Sequence, residues 1–222
     1  MGEIIDFKRA DGKAISGYYA VPEVGENAPG VVVLQEWWGL NEQIKGVADR
    51  FAQEGYRALV PDLYRGKVTL DAAEAEHLMS RLDFGDAATQ DISGALRHIK
   101  AGGTKVGVIG FCMGGVLSIL AAARTDDADV AIPWYGLPPE GSIEPGDIKI
   151  PLQGHFALKD AHFSPAQVDD LETKLKKAGV NYEFYRYDAD HGFGNETGER
   201  YDKEATKLAW QRSLDFLVKH LK

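Results

Sequence analysis

Apolar positions along the chain follow two rhythms, unbroken blocks and stripes spaced three and four apart. The blocks Gly30-Val31-Val32-Val33-Leu34-Gln35 and Val106-Gly107-Val108-Ile109 have the form of strands covered on both faces, and so of a parallel sheet. Shorter stretches at Tyr56 to Val60, Val130 to Tyr135, Ile150 to His155 and Tyr182 to Tyr187 read as further strands. Ile4 to Arg9 and Ala14 to Val21 flank the turn Ala10-Asp11-Gly12, which predicts an antiparallel hairpin at one sheet edge. Between the strands lie helical stripes. Ile44, Val47, Ala48, Phe51 and Ala52 share one face, with Asn41 as N-cap and Gly55 as stop. Asp71 with Glu74 reads as a capping box opening a helix toward Leu82, and Ile92, Ala95, Leu96 and Ile99 mark another ending at Gly102-Gly103. Met113 to Arg124 is apolar almost all round and therefore central. Ser164, Pro165 and Gln167 open a helix reaching Ala178, and a last helix runs from about Asp202 to Leu221 with Ala205, Leu208, Ala209 and Phe216 on one side. This alternation predicts a mostly parallel central sheet with helices on both faces and an N-terminal antiparallel hairpin, residues 1–222 forming a single domain. The segment Gly136 to Gly146, rich in Pro, Gly and acidic residues, is expected as a surface loop.

Composition narrows the function. With 222 residues and 44% hydrophobic content the chain can bury a full core without disulfides or structural metal. Its single cysteine allows neither an internal disulfide nor a CxxC site, so the thiol is packed or chemical. A net charge of -9 argues against nucleic acid and requires a local arginine or helix terminus if the substrate is an acid. No run approaches the roughly 18 apolar residues of a membrane span, and the first residues lack the order of a signal peptide. The expectation is a cytoplasmic monomer without membrane, metal or cofactor.

Gly110-Phe111-Cys112-Met113-Gly114-Gly115 falls between an expected strand and an expected helix, the context of a G-x-nucleophile-x-G elbow. Such a turn strains the nucleophile's backbone and admits only small residues two before and two after it. It also sets Cys112 at a helix N-terminus, where free N–H groups favour a thiolate. The rival readings are a buried structural cysteine and a dinucleotide-binding turn, whose glycines would be spaced differently. An α/β-hydrolase keeps the chain order nucleophile, acid, histidine, each after a strand. Asp160, after the strand ending near His155, and His191, after the strand ending at Tyr187, fit that order. His191 would move protons and Asp160 would fix its tautomer. Asp188 and Asp190 are alternative acids, though sequence adjacency to His191 seldom gives the required geometry. His155 and His162 bracket Asp160 in a way that also suggests a metal cluster. His77, His98 and His220 fall on helices and read as structural or solvated.

Together with Gln35-Glu36-Trp37-Trp38-Gly39 and Pro61-Asp62-Leu63-Tyr64, these motifs resemble the dienelactone hydrolase family, named for carboxymethylenebutenolidase. The resemblance covers essentially the whole chain. It implies an α/β-hydrolase that cleaves a carboxylic ester or enol lactone through a cysteine acyl-enzyme, in aromatic compound catabolism. It implies that Glu36 hydrogen-bonds the resting thiol and that backbone N–H groups of Trp37 and Met113 form the oxyanion hole. Family members acting on dienelactone carboxylates carry an arginine shortly after the histidine. Asn195 stands there in this chain and hydrogen-bonds without neutralising. Arg81 is the possible counterpart of a second arginine; Arg65 and Arg200 are expected at the surface. Tyr64, Tyr135 and Phe193, with Trp37, Trp38 and Trp134, are candidates to line an apolar pocket, or to be core. The alternatives are an esterase or thioesterase for neutral small substrates and a ligand-binding protein that has lost turnover.

Overall fold

The computed structural model describes residues 2–101 and 103–222. Eight strands form one sheet: β1 (Glu3–Lys8), β2 (Ala14–Ala20), β3 (Gly30–Leu34), β4 (Arg57–Pro61), β5 (Val106–Phe111), β6 (Val130–Trp134), β7 (Leu152–Ala157) and β8 (Tyr182–Tyr187). Their spatial order is β1-β2-β4-β3-β5-β6-β7-β8. The β1–β2 and β2–β4 pairings are antiparallel and all others parallel, so the expected hairpin does form one edge. This is the α/β-hydrolase fold. β3 carries its side chains to two separate cores, Val31 and Val33 to one face and Val32 and Leu34 to the other, which is why its sequence is an unbroken apolar block.

Helices α1 (Glu42–Gln53) and α7 (Lys203–Leu221) cover the first face, packing Ile44, Phe51, Ala209 and Phe216 on it. On the other lie α2 (Ala72–Ser80), α3 (Phe84–Asp86), α4 (Ser93–Lys100), α5 (Met113–Arg124) and α6 (Pro165–Ala178). Asn41 caps α1 by accepting the Ile44 N–H at 3.1 Å, and the Ser164–Gln167 capping box closes in both directions. From β3 the winding goes to β4 on one side and then to β5 on the other, so the carboxyl ends of these parallel strands open a crevice where ligands bind in such sheets.

Four expectations are corrected. The Asp71–Glu74 box closes on one side only: Asp71 accepts the Glu74 N–H at 2.8 Å, while the Glu74 carboxylate takes the Thr69 hydroxyl at 2.7 Å. The helix expected around Ile92 begins with α3 and passes through a π-helical turn, Ala87–Ile92, before α4. Within that turn the buried Asp91 accepts two hydrogen bonds from Arg65, each 2.9 Å, and pairs with Arg9 at 3.2 Å. These partners lie far away in sequence, so no local signal marks the π turn. β7 starts at Leu152 rather than Ile150, since Pro151 has no N–H to give the ladder. Leu208 lies off the buried stripe of α7, at 48% exposure; Thr206, Ala209, Ser213, Phe216, Leu217 and Leu221 form it instead. Of the expected Gly102-Gly103 stop, Gly102 lies outside the described residues.

The α7 register gives a direct test. Leu217→Ala is expected to cost about 2–5 kcal/mol by opening a cavity, whereas Leu208→Ala should stay within about 0.5 kcal/mol. Urea unfolding of both variants measures the difference, and equal costs would contradict this register.

Candidate active site

β5 meets α5 in a turn with almost no room. Cys112 has φ 53° and ψ -114°, a left-handed backbone that costs energy for any residue but glycine. A Cβ on Gly110 would stand 1.9 Å from the Gly114 carbonyl oxygen, and one on Gly114 would stand 2.4 Å from that of Leu34. The strand and the helix therefore cross at backbone contact, and the sulfur projects at the carboxyl edge of the sheet.

Two loops bring their side chains to it. His191 Nε2 lies 3.2 Å from Cys112 Sγ, and His191 Nδ1 lies 2.8 Å from Asp160 Oδ2. The other Asp160 oxygen accepts the backbone N–H groups of His162 at 2.8 Å and Phe163 at 2.9 Å. Burial works to raise the Asp160 pKa, but the hydrogen bonds from His191 and these amides outweigh it and hold the carboxylate below its ordinary range. Asp188 is exposed and paired with Lys159 at 2.9 Å, and Asp190 is exposed, so neither meets His191. His155 and His162 do not converge. His155 is fully buried, its ring meeting Tyr187 at 2.8 Å and both Gln153 and Ser213 at 3.0 Å, and burial pushes it down to about 3. His162 is exposed and packs edge-on against His191, ring centroids 4.9 Å apart.

Glu36 is buried beside the elbow, but it does not hydrogen-bond the thiol. Its two oxygens accept the Tyr135 hydroxyl at 3.2 Å and the Asn195 amide at 2.7 Å. Asn195 in turn accepts the backbone N–H of Thr197 at 3.0 Å and its hydroxyl at 2.7 Å, so this residue is spent on holding Glu36 and its own loop. Burial raises the Glu36 pKa against the opposing pull of Asn195, His191 and Tyr135. Cys112 is displaced the same way: burial first, then the Glu36 carboxylate, push the thiol far up, while the Met113 N–H works the other way and loses. The acidity expected from the helix terminus is thus opposed, and burial with the Glu36 carboxylate favours the thiol over the thiolate.

A cleft of about 1010 Å³ opens above these residues. Glu36, Cys112, Met113, His191 and Asn195 border it, as does Trp37, on the loop after β3. Met113 is the first residue of α5, so its N–H has no acceptor within the helix. Several aromatic candidates fall elsewhere. Tyr64 is buried with its hydroxyl 3.2 Å from Met113 Sδ, Tyr135 lies beneath Glu36, and Phe193 stacks on Trp134 inside the core. Trp37 and Trp38 do border the cleft, and its other apolar lining includes Met79, Val116, Leu120 and Leu137. Sequence reasoning missed these four because each reads as ordinary helix core or loop. Arg81 is exposed and caps α2 away from the cleft, and Arg65 is tied to Asp91; the arginines bordering the cleft are Arg124 and Arg200.

The dienelactone hydrolase family model matches residues 15–221. The chain belongs to the dienelactone hydrolase family. It is therefore a dienelactone hydrolase-like enzyme of the carboxylic ester hydrolase class. It is 37% identical over 235 aligned residues to "Protein usf" of Aquifex pyrophilus, with 100% of both chains covered. It is 32% identical over 234 residues, again with 100% of both covered, to a protein of Aquifex aeolicus provisionally named a carboxymethylenebutenolidase. A crystal structure of a provisionally assigned dienelactone hydrolase from Klebsiella pneumoniae superposes with a TM-score of 0.87 at 26% identity, covering 99% of this chain and 100% of that one. Among the described residues no helix is long and apolar enough to cross a membrane.

The raised pKa of Glu36 makes a stability prediction. A carboxyl whose folded pKa lies above its unfolded value loses stability as pH climbs past the ordinary value of 4.5. Glu36→Gln should therefore gain stability relative to the unaltered chain as pH rises past that ordinary value. Urea unfolding of both proteins on either side of that value reads the sign, and a constant difference would refute it.

Proposed function

We propose that this chain hydrolyses a carboxylic ester or enol lactone through a cysteine acyl-enzyme, with Cys112 as nucleophile, His191 as general base and acid, and Asp160 as the group that orients His191. The observation carrying this reading is the continuous path Sγ–Nε2 at 3.2 Å and Nδ1–Oδ2 at 2.8 Å. Starting from the thiol, His191 Nε2 takes the Sγ proton as sulfur bonds to the carbonyl carbon. The carbonyl π electrons move to oxygen, and the oxyanion accepts hydrogen bonds from the Trp37 and Met113 N–H groups. When the tetrahedral centre collapses, the C–O bond breaks and His191 returns the proton to the departing oxygen. Water then attacks the thioester with His191 as base, releasing the acid and restoring the thiol. Asp160, held ionised by its amide donors, keeps the Nδ1 proton of His191 in place and stabilises the imidazolium formed in each step.

Glu36 acts on this sequence through charge. Its carboxylate next to the sulfur raises the thiol pKa, so Cys112 stays protonated until substrate excludes water and engages His191. Asn195 is committed to Glu36 and Thr197 and offers no cation beside the reacting carbonyl. That favours, as a second reading, an esterase or thioesterase whose substrates are uncharged close to the scissile bond. Comparing a lactone carboxylate with its methyl ester separates the two, since faster turnover of the methyl ester supports the second.

Cys112→Ala and His191→Ala should each lower kcat for aryl esters by at least about 1000-fold; full hydrolysis by Cys112→Ala would sink the mechanism. Iodoacetamide should label Cys112 more slowly in the folded protein than in urea near neutral pH, and Glu36→Gln should speed labelling of the folded protein. Mass spectrometry of the labelled protein follows both, and labelling indifferent to Glu36 would remove its electrostatic role.

A further inference from the structure

The cleft is far larger than a small lactone requires, and its lining is sorted by element. Residues from the segment after β8, among them His191, Asn195, Thr197 and Arg200, make a polar side. Residues from α2, α3 and α5 make an apolar side, with Met79, Phe84, Val116 and Leu120. Val116, Leu120 and Arg124 follow Cys112 at intervals of four, so they share one face of α5 and form a floor leading away from the sulfur. Twelve residues at about 1.5 Å each put Arg124 about 18 Å along the helix from Cys112.

Arg124 closes that floor with a charge. Its Nη2 donates to the Ser142 carbonyl at 2.9 Å, and among the described residues it forms no ion pair. Gly85 makes the room, since a Cβ there would stand 3.1 Å from Arg124 Nη1 and 3.2 Å from Asp83 Oδ1, a carboxylate that an incoming anion must also face. A guanidinium has five N–H donors in a planar fork suited to a carboxylate. The departing group must receive its proton from His191, so it belongs on the polar side and the acyl group on the apolar side.

We propose that the cleft takes esters whose acyl part is an extended apolar chain lying along Val116 and Leu120 and ending in an anionic group, such as a carboxylate, at Arg124. This inference rests on the acyl-enzyme reading above, because that reading assigns the two sides of the cleft. The chain contributes by leaving water for an apolar floor, and the far anion by pairing with a cation that the protein leaves without a carboxylate partner.

The test is a kcat/KM series on p-nitrophenyl acetate, hexanoate, decanoate and the p-nitrophenyl monoester of decanedioic acid. The expected result is a rise of at least about tenfold from acetate to decanoate and a further gain of about two- to fivefold for the terminal carboxylate. Arg124→Gln should bring the decanedioate-to-decanoate ratio to one, and Leu120→Trp should lower the decanoate-to-acetate ratio. Because each ratio is taken on one protein, loss of folded material does not imitate either effect. A flat series with acetate turned over, or a carboxylate gain indifferent to Arg124→Gln, overturns this inference and leaves the acyl-enzyme reading standing. Absence of turnover on every ester overturns both.

Discussion

A backbone crossing too tight for any side chain holds the site together. Where β5 turns into α5, Gly110 lies against Gly114, and Gly114 lies against the carbonyl groups at the end of β3. The left-handed backbone of Cys112 is the product of that crossing, and it aims the sulfur out of the sheet edge instead of into the core. Everything else is measured from this point. His191 and Asp160 arrive on loops after the outer strands β8 and β7, and they meet the sulfur because the parallel register carries those strand ends to the same edge.

The electrostatics of the site oppose an always-ready nucleophile. A buried sulfur beside a buried carboxylate is a poor place for negative charge, and the first-turn amide of α5 does not compensate. Glu36 is itself reluctant to ionise, and its hydrogen bonds to Tyr135 and Asn195 keep it in the site. The protein thus places two groups that resist charge next to each other and puts an imidazole within reach of one. In the proposed mechanism the proton passes from sulfur to His191 only as the carbonyl is attacked, which would protect the thiol between turnovers.

Much of this was legible in the chain. Strands buried on both faces appear as unbroken apolar blocks, and Asn41, Ser164 and Asp202 mark helix starts through their own side chains, because capping is local. That Cys112, Asp160 and His191 lie together was legible because chain order and strand ends carry their positions. What stayed hidden depends on distant partners. The π turn needs Arg9 and Arg65 around Asp91, and the side chains lining the cleft are indistinguishable from core until α2 and α5 face one another. Tyr64, Trp134, Tyr135 and Phe193 show the converse error, since aromatic residues at strand ends pack inward as readily as outward. Glu36 lies beside the elbow, but its hydrogen-bond partners were not legible, because Asn195 and Tyr135 lie more than ninety residues away in sequence.

The salt-bridged π turn ties the N-terminal hairpin to the cleft. Arg9 follows β1 and grips Asp86 and Asp91, directly beside Phe84 and Gly85 in the cleft wall. The hairpin touches none of the reacting groups, yet it fixes the position of the wall they face. Drift in this edge of the sheet would reshape what the enzyme admits without disturbing how it breaks a bond, so selectivity and chemistry are separately heritable in this architecture.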